Sequence, residues 1–136
     1  MEDSIFGKII RRELPAAIIY EDEHTLAFLD AHPVNLGHAL VIPKVYSRNI
    51  LTISPDSFAK VMETTRLLSP IIQEAVGAGG INIHMNNEAP AGQAVFHTHV
   101  HIIPRHDGDG LTHWQAREYT PSESDAVLKK IRDALA

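Results

Sequence analysis

Three histidines, His97, His99 and His101, occupy every second position of one short, mostly apolar segment. Successive residues of a β-strand point to opposite faces of a sheet, so these three imidazoles would share one face. The alternate residues Thr98, Val100 and Ile102 would point to the opposite face and pack against the core. The segment therefore predicts a strand over Val95–Ile103, ended by Pro104, whose three histidines (the histidine row) face a cleft or solvent.

Four other segments have the patterns of strands, at residues 17–20, 25–30, 38–43 and 81–86. The last of them alternates apolar residues with Asn82, His84 and Asn86, which is typical of a half-buried strand. The strands follow one another like hairpins, with few helices between them. The pattern indicates the α+β class, with an antiparallel sheet of about five strands and segregated helices.

Helix signals occur at three places. Asp3 is placed to cap a short helix that stops at Leu14–Pro15. Ser54–Pro55 combines a preferred cap with proline at the first helical position, and Pro70 should kink the helix that follows or divide it in two. A capping-box pattern precedes a final helix over residues 121–135.

Composition restricts the classes of function. The chain has 136 residues, 44% of them hydrophobic, which suits one domain with a buried core. It has no cysteine, which excludes disulfides, thiolate zinc sites and cysteine nucleophiles. Its net charge of −5 argues against binding to nucleic acid or to an anionic membrane through a broad basic face. With an acidic start and no long apolar run, we expect a cytoplasmic protein.

The histidine row is compatible with four interpretations. It could be a solvated polar face, although many other polar residues would serve there and the repetition of histidine would have no reason. Two of the histidines could bind a metal with Asp107 or Asp109. All three could not share one ion, because the outer two, four residues apart on a strand, would be about 13 Å apart. It could belong to a nucleotide-binding module without turnover. We favour the fourth interpretation, nucleophilic catalysis at phosphorus.

Imidazole suits that chemistry. Its ordinary pKa is about 6.5, so a neutral ring with a bare nitrogen is available at pH 7. One histidine of a row can attack phosphorus while its neighbours hold phosphate oxygens or move protons.

The histidine row resembles the signature of the histidine triad superfamily. Residues 3–15, 26–30, 37–38 and 40–44 also resemble blocks of the histidine triad nucleotide-binding proteins, in matching order. The resemblance covers about residues 3–105 and implies an antiparallel-sheet fold that forms a homodimer. The chain would then be a single domain over residues 1–136, with a C-terminal tail that carries the helix over 121–135.

The resemblance also implies site residues. His99 would be the nucleophile, and His101 would contact the α-phosphate. His97 would orient the nucleophile, and His38 is similar to the fourth histidine of the family site. The nucleotide-binding residues would be Asp30 for the ribose, Asn86, Gly92 and Gln93 for the phosphate, and Phe6, Ile9, Leu14 and Phe28 for the base. These four apolar residues suit plain core packing equally well.

Three features distinguish this chain from branches of the family. Many relatives have a serine, placed to contact the leaving group, where this chain has Ala94, whose side chain cannot donate or accept a hydrogen bond. The positions that bind zinc in another branch are here Ser4, Gly7 and Tyr46, so we expect no metal. A transferase branch has glutamine at the position of His101, so histidine favours hydrolysis.

These observations predict a nucleotide hydrolase that acts at the α-phosphorus of nucleoside 5′-phosphoramidates or related nucleotide conjugates. The ligands would be purine nucleotides, and no cofactor would be required. A dinucleoside polyphosphate hydrolase and a non-catalytic purine nucleotide-binding protein remain alternatives.

Overall fold

A computed structural model describes residues 4–136 of the chain. In chain order the elements are α1 (Ile5–Ile10), β1 (Ile18–Glu21), β2 (Thr25–Leu29), β3 (Ala39–Pro43), α2 (Pro55–Ala75), β4 (Gly80–His84), β5 (Val100–Arg105) and α3 (Pro121–Leu135). The strands form one antiparallel sheet in the order β1-β2-β3-β5-β4. The predicted α+β class with five strands is confirmed.

Each face of the sheet carries its own apolar cluster. On one face, α2 packs Val61, Leu68 and Ile72 against alternate residues of β2, β3 and β5. On the other, Phe6 and Ile9 of α1 pack with Leu26, Phe28, Leu40 and Ile42. Directly paired strand residues share a face, and Leu40 pairs with His101. The histidine row therefore belongs to the face covered by α1.

The first helix begins at a serine. Ser4 Oγ accepts a hydrogen bond from the backbone N–H of Gly7 at 2.9 Å and so caps α1. Asp3, the expected cap, lies outside the described residues. The helix ends at Ile10, before the expected stop at Leu14–Pro15, and Arg12 just beyond it has a left-handed φ of 61°.

The two longer helices begin where the sequence predicts. Ser54 caps α2, and Thr120 forms a complete capping box with Glu123 at the start of α3. Pro70 does not divide α2, which is a single helix of 21 residues. Proline removes one backbone hydrogen bond there, and the buried stripe along the sheet outweighs that loss. Within residues 4–136, no helix is both long and apolar enough to cross a membrane.

The strand of the histidine row is shorter and later than predicted. β5 begins at Val100 rather than Val95, and it continues through Pro104 to Arg105. Pro104 fits because β3 pairs with β5 only as far as Ile102, so no partner needs the N–H that proline lacks. β4 likewise ends at His84, which leaves Asn86 in the following loop.

Candidate active site

His99 immediately precedes β5 and is 6% exposed. Its Nδ1 lies 2.8 Å from the carbonyl oxygen of His97, which can only accept a hydrogen bond. Burial lowers the pKa of His99, while the His97 carbonyl and Asp30 act in the opposite direction. The neutral ring therefore carries its proton on Nδ1, and Nε2 has a free lone pair.

His97 is a fixed part of the core rather than a group facing a cleft, since it is 1% exposed. Its Nε2 donates to the carbonyl oxygen of Pro43 at 3.0 Å, and its Nδ1 accepts from Ser4 Oγ at 2.9 Å. Burial lowers the pKa of this imidazole as well. Both nitrogens are thus satisfied inside the protein, and the held residue aims its carbonyl at His99.

A chain of hydrogen bonds defines the proton position on His101. The backbone N–H of Val34 donates to Nδ1 of His38 at 3.0 Å, so neutral His38 carries its proton on Nε2. That Nε2 lies 2.9 Å from Nδ1 of His101, which must accept. The proton of His101 is therefore on Nε2, a buried nitrogen that has no hydrogen-bond partner among the described residues.

Burial and the neighbouring rings keep His101 neutral. Burial, followed by the nearby rings of His99, His84 and His38, lowers the pKa of His101 to about 3. The ring centroids of His99 and His101 are 5.0 Å apart. A bare nitrogen on one ring and an unpaired N–H on the other thus lie side by side on the α1 face of the sheet.

Asp30, His38 and His101 place potential metal-ligand atoms within 4.8 Å of one another. A metal would need the lone pair of His38 Nε2, but that nitrogen carries a proton because Nδ1 accepts from the backbone. Asp30 is also engaged, since its Oδ1 accepts from the N–H of His32 at 2.8 Å. The donor set therefore fits proton sharing better than metal binding. Asp109, considered above as a metal ligand, instead pairs with Arg105.

The polar groups of the predicted phosphate loop already form hydrogen bonds within the protein. The Gln93 side chain is 4% exposed; its oxygen accepts from Asn49 and from the N–H of Glu88, and its nitrogen donates to two carbonyls. The backbone N–H groups of Gly92 and Gln93 also bond within the loop. Asn86 Nδ2 is 3.5 Å from the carbonyl oxygen of Gly92. Phosphate binding by Gly92, Gln93 and Asn86 stays a prediction.

The four apolar residues assigned to the base fall into two groups. Phe6, Ile9 and Phe28 are buried in the apolar cluster under α1, and Phe6 contacts the ring of His99 edge-on at 5.0 Å. Leu14 is 39% exposed and lies outside that cluster. Phe6 therefore borders the histidines, and its ring packs edge-on against that of Phe28, so these two rings form the wall beside the histidines, while Leu14 is exposed at the surface.

Several residues that shape the site carried no functional signal in the sequence. Ser4 holds His97, Asn49 holds Gln93, and Val34 holds His38 through its backbone. His84 lies directly opposite His101 in the β4–β5 ladder, with ring centroids 4.7 Å apart. The polar alternation of residues 81–86 placed His84 on a polar face, but it did not indicate this contact.

A family model for the HIT domain matches residues 11–108, a span that contains the histidine row and His38. The chain belongs to the HIT domain family. Its HIT fold is similar to a crystal structure of SMU.412c from Streptococcus mutans UA159, with a TM-score of 0.94 and 35% identity over 100% of this chain and 87% of that one.

Two further HIT proteins are similar to this chain. The adenylylsulfatase HINT3 of Arabidopsis thaliana is 42% identical over 109 residues, which cover 80% of this chain and 55% of that protein. The structure of a histidine triad nucleotide-binding protein from Candida albicans has a TM-score of 0.85 at 27% identity, covering 98% of this chain and 97% of that one.

Proposed function

We propose that this HIT protein hydrolyses nucleoside 5′-phosphoramidates or related nucleotide conjugates at the α-phosphorus, with Nε2 of His99 as the nucleophile. One observation carries the proposal: the hydrogen-bond network leaves a lone pair on His99 Nε2 beside an unpaired N–H on His101 Nε2. The first group suits attack on phosphorus, and the second suits a phosphate oxygen.

The reaction proceeds in two steps, formation of a covalent bond between His99 and the α-phosphorus and its hydrolysis by water. His99 Nε2 forms a bond to phosphorus, the bond from phosphorus to the leaving nitrogen or oxygen breaks, and the leaving group takes up one proton. Water then attacks the same phosphorus, the nitrogen–phosphorus bond breaks, and one proton is released with the nucleoside monophosphate. The carbonyl of His97 stabilises the positive charge on the His99 ring of the intermediate, because it accepts from Nδ1–H.

The other predicted contacts complete the binding site. The carboxylate of Asp30 lies 3.6 Å from His38 Nε2, at the side of the cluster where a ribose would place two hydroxyls. A purine would contact the wall formed by Phe6 and Phe28. The backbone N–H of Ala94 has no hydrogen bond among the described residues and is a further donor for phosphate.

The relatives support nucleotide chemistry at this site. The Arabidopsis relative is named an adenylylsulfatase, and the Candida structure is named a nucleotide-binding protein. We also propose that catalysis needs no metal. We further propose that the protein is a homodimer, because α3 exposes the apolar residues Val127, Leu128 and Ile131. Ala94, which lacks the hydroxyl of many relatives, favours one alternative, a purine nucleotide-binding protein without turnover.

The test measures release of AMP from adenosine 5′-phosphoramidate and from a diadenosine polyphosphate, in the presence of chelator. Wild type is compared with His99→Ala and with His24→Ala, which removes an exposed histidine in the β1–β2 turn. We expect release by wild type and His24→Ala and none by His99→Ala. Equal release by His99→Ala would refute the mechanism, and AMP binding without any release would identify the non-catalytic alternative.

A further inference from the structure

Glu88 has a backbone conformation that only glycine adopts readily. Its φ is 74° and its ψ is 160°, a combination that is strained for any residue with a Cβ atom. Among residues 4–136, Arg12 is the other non-glycine residue with a positive φ, and it follows the end of α1, where left-handed residues are common. Glu88 instead begins the segment 88–93 of the predicted phosphate loop. Such a conformation persists only where surrounding contacts hold it.

The strained backbone of Glu88 closes the phosphate loop. Its N–H donates to Oε1 of Gln93 at 2.8 Å, and its carbonyl oxygen accepts from the N–H groups of Ala91 and Gln93 at 3.1 and 3.2 Å. Because both groups of Glu88 bond to Gln93, their relative direction, which φ and ψ determine, fixes the shape of the loop. The loop leads into Ala94, whose N–H has no hydrogen bond among the described residues.

The side chain of Glu88 is held by two residues that are adjacent in sequence. Arg48 donates from Nε and Nη2 to the two carboxylate oxygens at 2.7 and 2.9 Å, and Asn49 Nδ2 donates to one of them at 2.6 Å. A two-pronged contact of this kind fixes the direction of a carboxylate as well as its position. The hydrogen bonds from Arg48 and Asn49 lower the pKa of Glu88 to about 2, so the carboxylate is charged at neutral pH. We call the contact between Arg48 and Glu88 the clamp.

Arg48 also contacts the segment that leads into the histidine row. Its guanidinium carbon lies 4.3 Å from the centre of the Phe96 ring, and Phe96 directly precedes the row. Its carbonyl oxygen accepts from Nε2 of Gln93 at 2.8 Å. Arg48 therefore connects both ends of the phosphate loop to the approach to the histidines. Ala94 lies between two of the residues that Arg48 contacts, Gln93 and Phe96.

The clamp differs from an ordinary surface ion pair in the backbone that it holds. The side chains of Arg48 and Glu88 are 44% and 38% exposed, and exposed pairs on relaxed backbone contribute little. Arg66 and Glu63 form a similar two-pronged pair on α2, at 2.8 and 2.6 Å, where both residues have helical backbone. In the clamp, the same kind of contact opposes the relaxation of a strained residue.

We propose that Arg48 is a positioning residue for phosphate binding, because its clamp on Glu88 holds the loop in the strained conformation that presents the backbone N–H of Ala94 to a phosphate oxygen. The inference rests on the proposed function for the identity of the ligand, a nucleotide, but it requires no turnover. Without the clamp, Glu88 relaxes toward negative φ, its bonds to Gln93 break, and the N–H of Ala94 loses its fixed direction. Glycine at position 88 needs no clamp, because it adopts positive φ without steric cost.

The test measures AMP affinity by calorimetry, and kcat and KM for AMP release from adenosine 5′-phosphoramidate. We expect Arg48→Gln to weaken AMP binding and to raise KM about tenfold, the effect of about one hydrogen bond, with a smaller change in kcat. Arg48→Lys, which keeps the charge but loses the two-pronged contact, should have a smaller defect. Glu88→Gly should bind AMP within about threefold of wild type. The double variant Arg48→Gln/Glu88→Gly should equal Glu88→Gly, because glycine cancels the defect of Arg48→Gln.

Arg66→Gln, which removes the arginine of the exposed pair on α2, is the matched control and should bind AMP as wild type does. Wild-type affinity in Arg48→Gln would overturn the proposal. A double variant as weak as Arg48→Gln would overturn it as well, because the arginine would then act independently of the strain at Glu88. A wild type that binds AMP but releases none from the phosphoramidate would refute the proposed hydrolysis, and the affinities of the variants would still decide the role of the clamp. A wild type that does not bind AMP would refute both.

Discussion

Nε2 of His38 donates a hydrogen bond to Nδ1 of His101 at 2.9 Å. This bond places the proton of His101 on Nε2, where the N–H has no acceptor among the described residues. His38 itself is oriented by the backbone N–H of Val34. The loop between β2 and β3 thus sets the donor offered to phosphate, although it lies far in sequence from the histidine row.

Replacement of His38 by Leu removes this donor, so both tautomers of His101 become accessible. Long-range proton–nitrogen NMR spectra of wild type at pH 7 should show His99 protonated at Nδ1 and His101 at Nε2. In His38→Leu, His101 should give a mixture while His99 stays as it was. We expect kcat to fall about 10–100-fold, because a misplaced donor no longer meets the transition state. His101 still fixed as the Nε2–H tautomer would contradict the hydrogen-bond chain.

Ser4 connects the start of α1 to the site, since its hydroxyl caps the helix and also donates to buried His97. Ser4→Ala loses a cap, worth about 1 kcal/mol, and leaves a buried acceptor unpaired, which costs about 1–3 kcal/mol more. Ser54→Ala, which removes only the exposed cap of α2, is the control and should cost about 1 kcal/mol. Urea unfolding compares the two, and equal losses would show that the bond to His97 contributes nothing.

Local signals in the sequence were enough for the class of fold and for most helix starts. The Ser54–Pro55 pair and the Thr120 capping box act within one helical turn, and both occur as predicted. The alternation of the histidine row correctly placed His99 and His101 next to each other, as their ring contact shows.

The start of β5 was not predictable, because distant residues determine it. Thr98 donates its N–H to the carbonyl of Ser47, and His97 donates to that of Pro43. These bonds join segments about 50 residues apart and hold the chain before Val100 out of the regular ladder. The same contacts bury His97, which the local alternation had placed toward a cleft.

The histidine row should make the protein less stable in mild acid. Burial lowers the pKa of His97, His99 and His101, whereas these rings protonate near pH 6.5 in the unfolded chain. The unfolded state therefore binds more protons below pH 6.5, and stability that is complete above that pH is lost as the pH falls toward the folded-state values.

Each fully shifted histidine contributes up to about 1.4 kcal/mol per pH unit. We expect the free energy of unfolding in urea to be about 2–4 kcal/mol lower at pH 5.5 than at pH 7.5. His101→Gln should reduce this difference by about 1 kcal/mol, since it removes one titrating ring. A stability that does not change between the two pH values would mean that the rings are not held neutral.

Ala94 is exposed, so a serine fits there without displacing a neighbour. Ala94→Ser adds a hydroxyl that can donate to the departing nitrogen, and we expect it to raise kcat for adenosine 5′-phosphoramidate about tenfold or more. Ala94→Val, which adds bulk without a donor, is the matched control. A similar gain in Ala94→Val, or no gain in Ala94→Ser, would show that leaving-group protonation does not depend on this position.

Gln93→Glu tests whether the phosphate loop depends on the amide. The nitrogen of Gln93 donates to the carbonyls of Arg48 and Val95, and a carboxylate would turn an oxygen toward both. We expect a loss of about 3–5 kcal/mol at pH 7, measured in urea, because a buried charge is left uncompensated. Gln115→Glu, at an exposed position, should change stability by less than about 0.5 kcal/mol.

The pH dependence of Gln93→Glu separates this cause from general damage to the loop. Burial beside two carbonyls raises the cost of the charged form, and protonation below neutral pH restores one donor. The deficit relative to wild type should therefore shrink between pH 7.5 and 5.5, although wild type itself becomes less stable over that range. A deficit that stays constant would mean that the side chain relocates to solvent and that the loop does not require the amide.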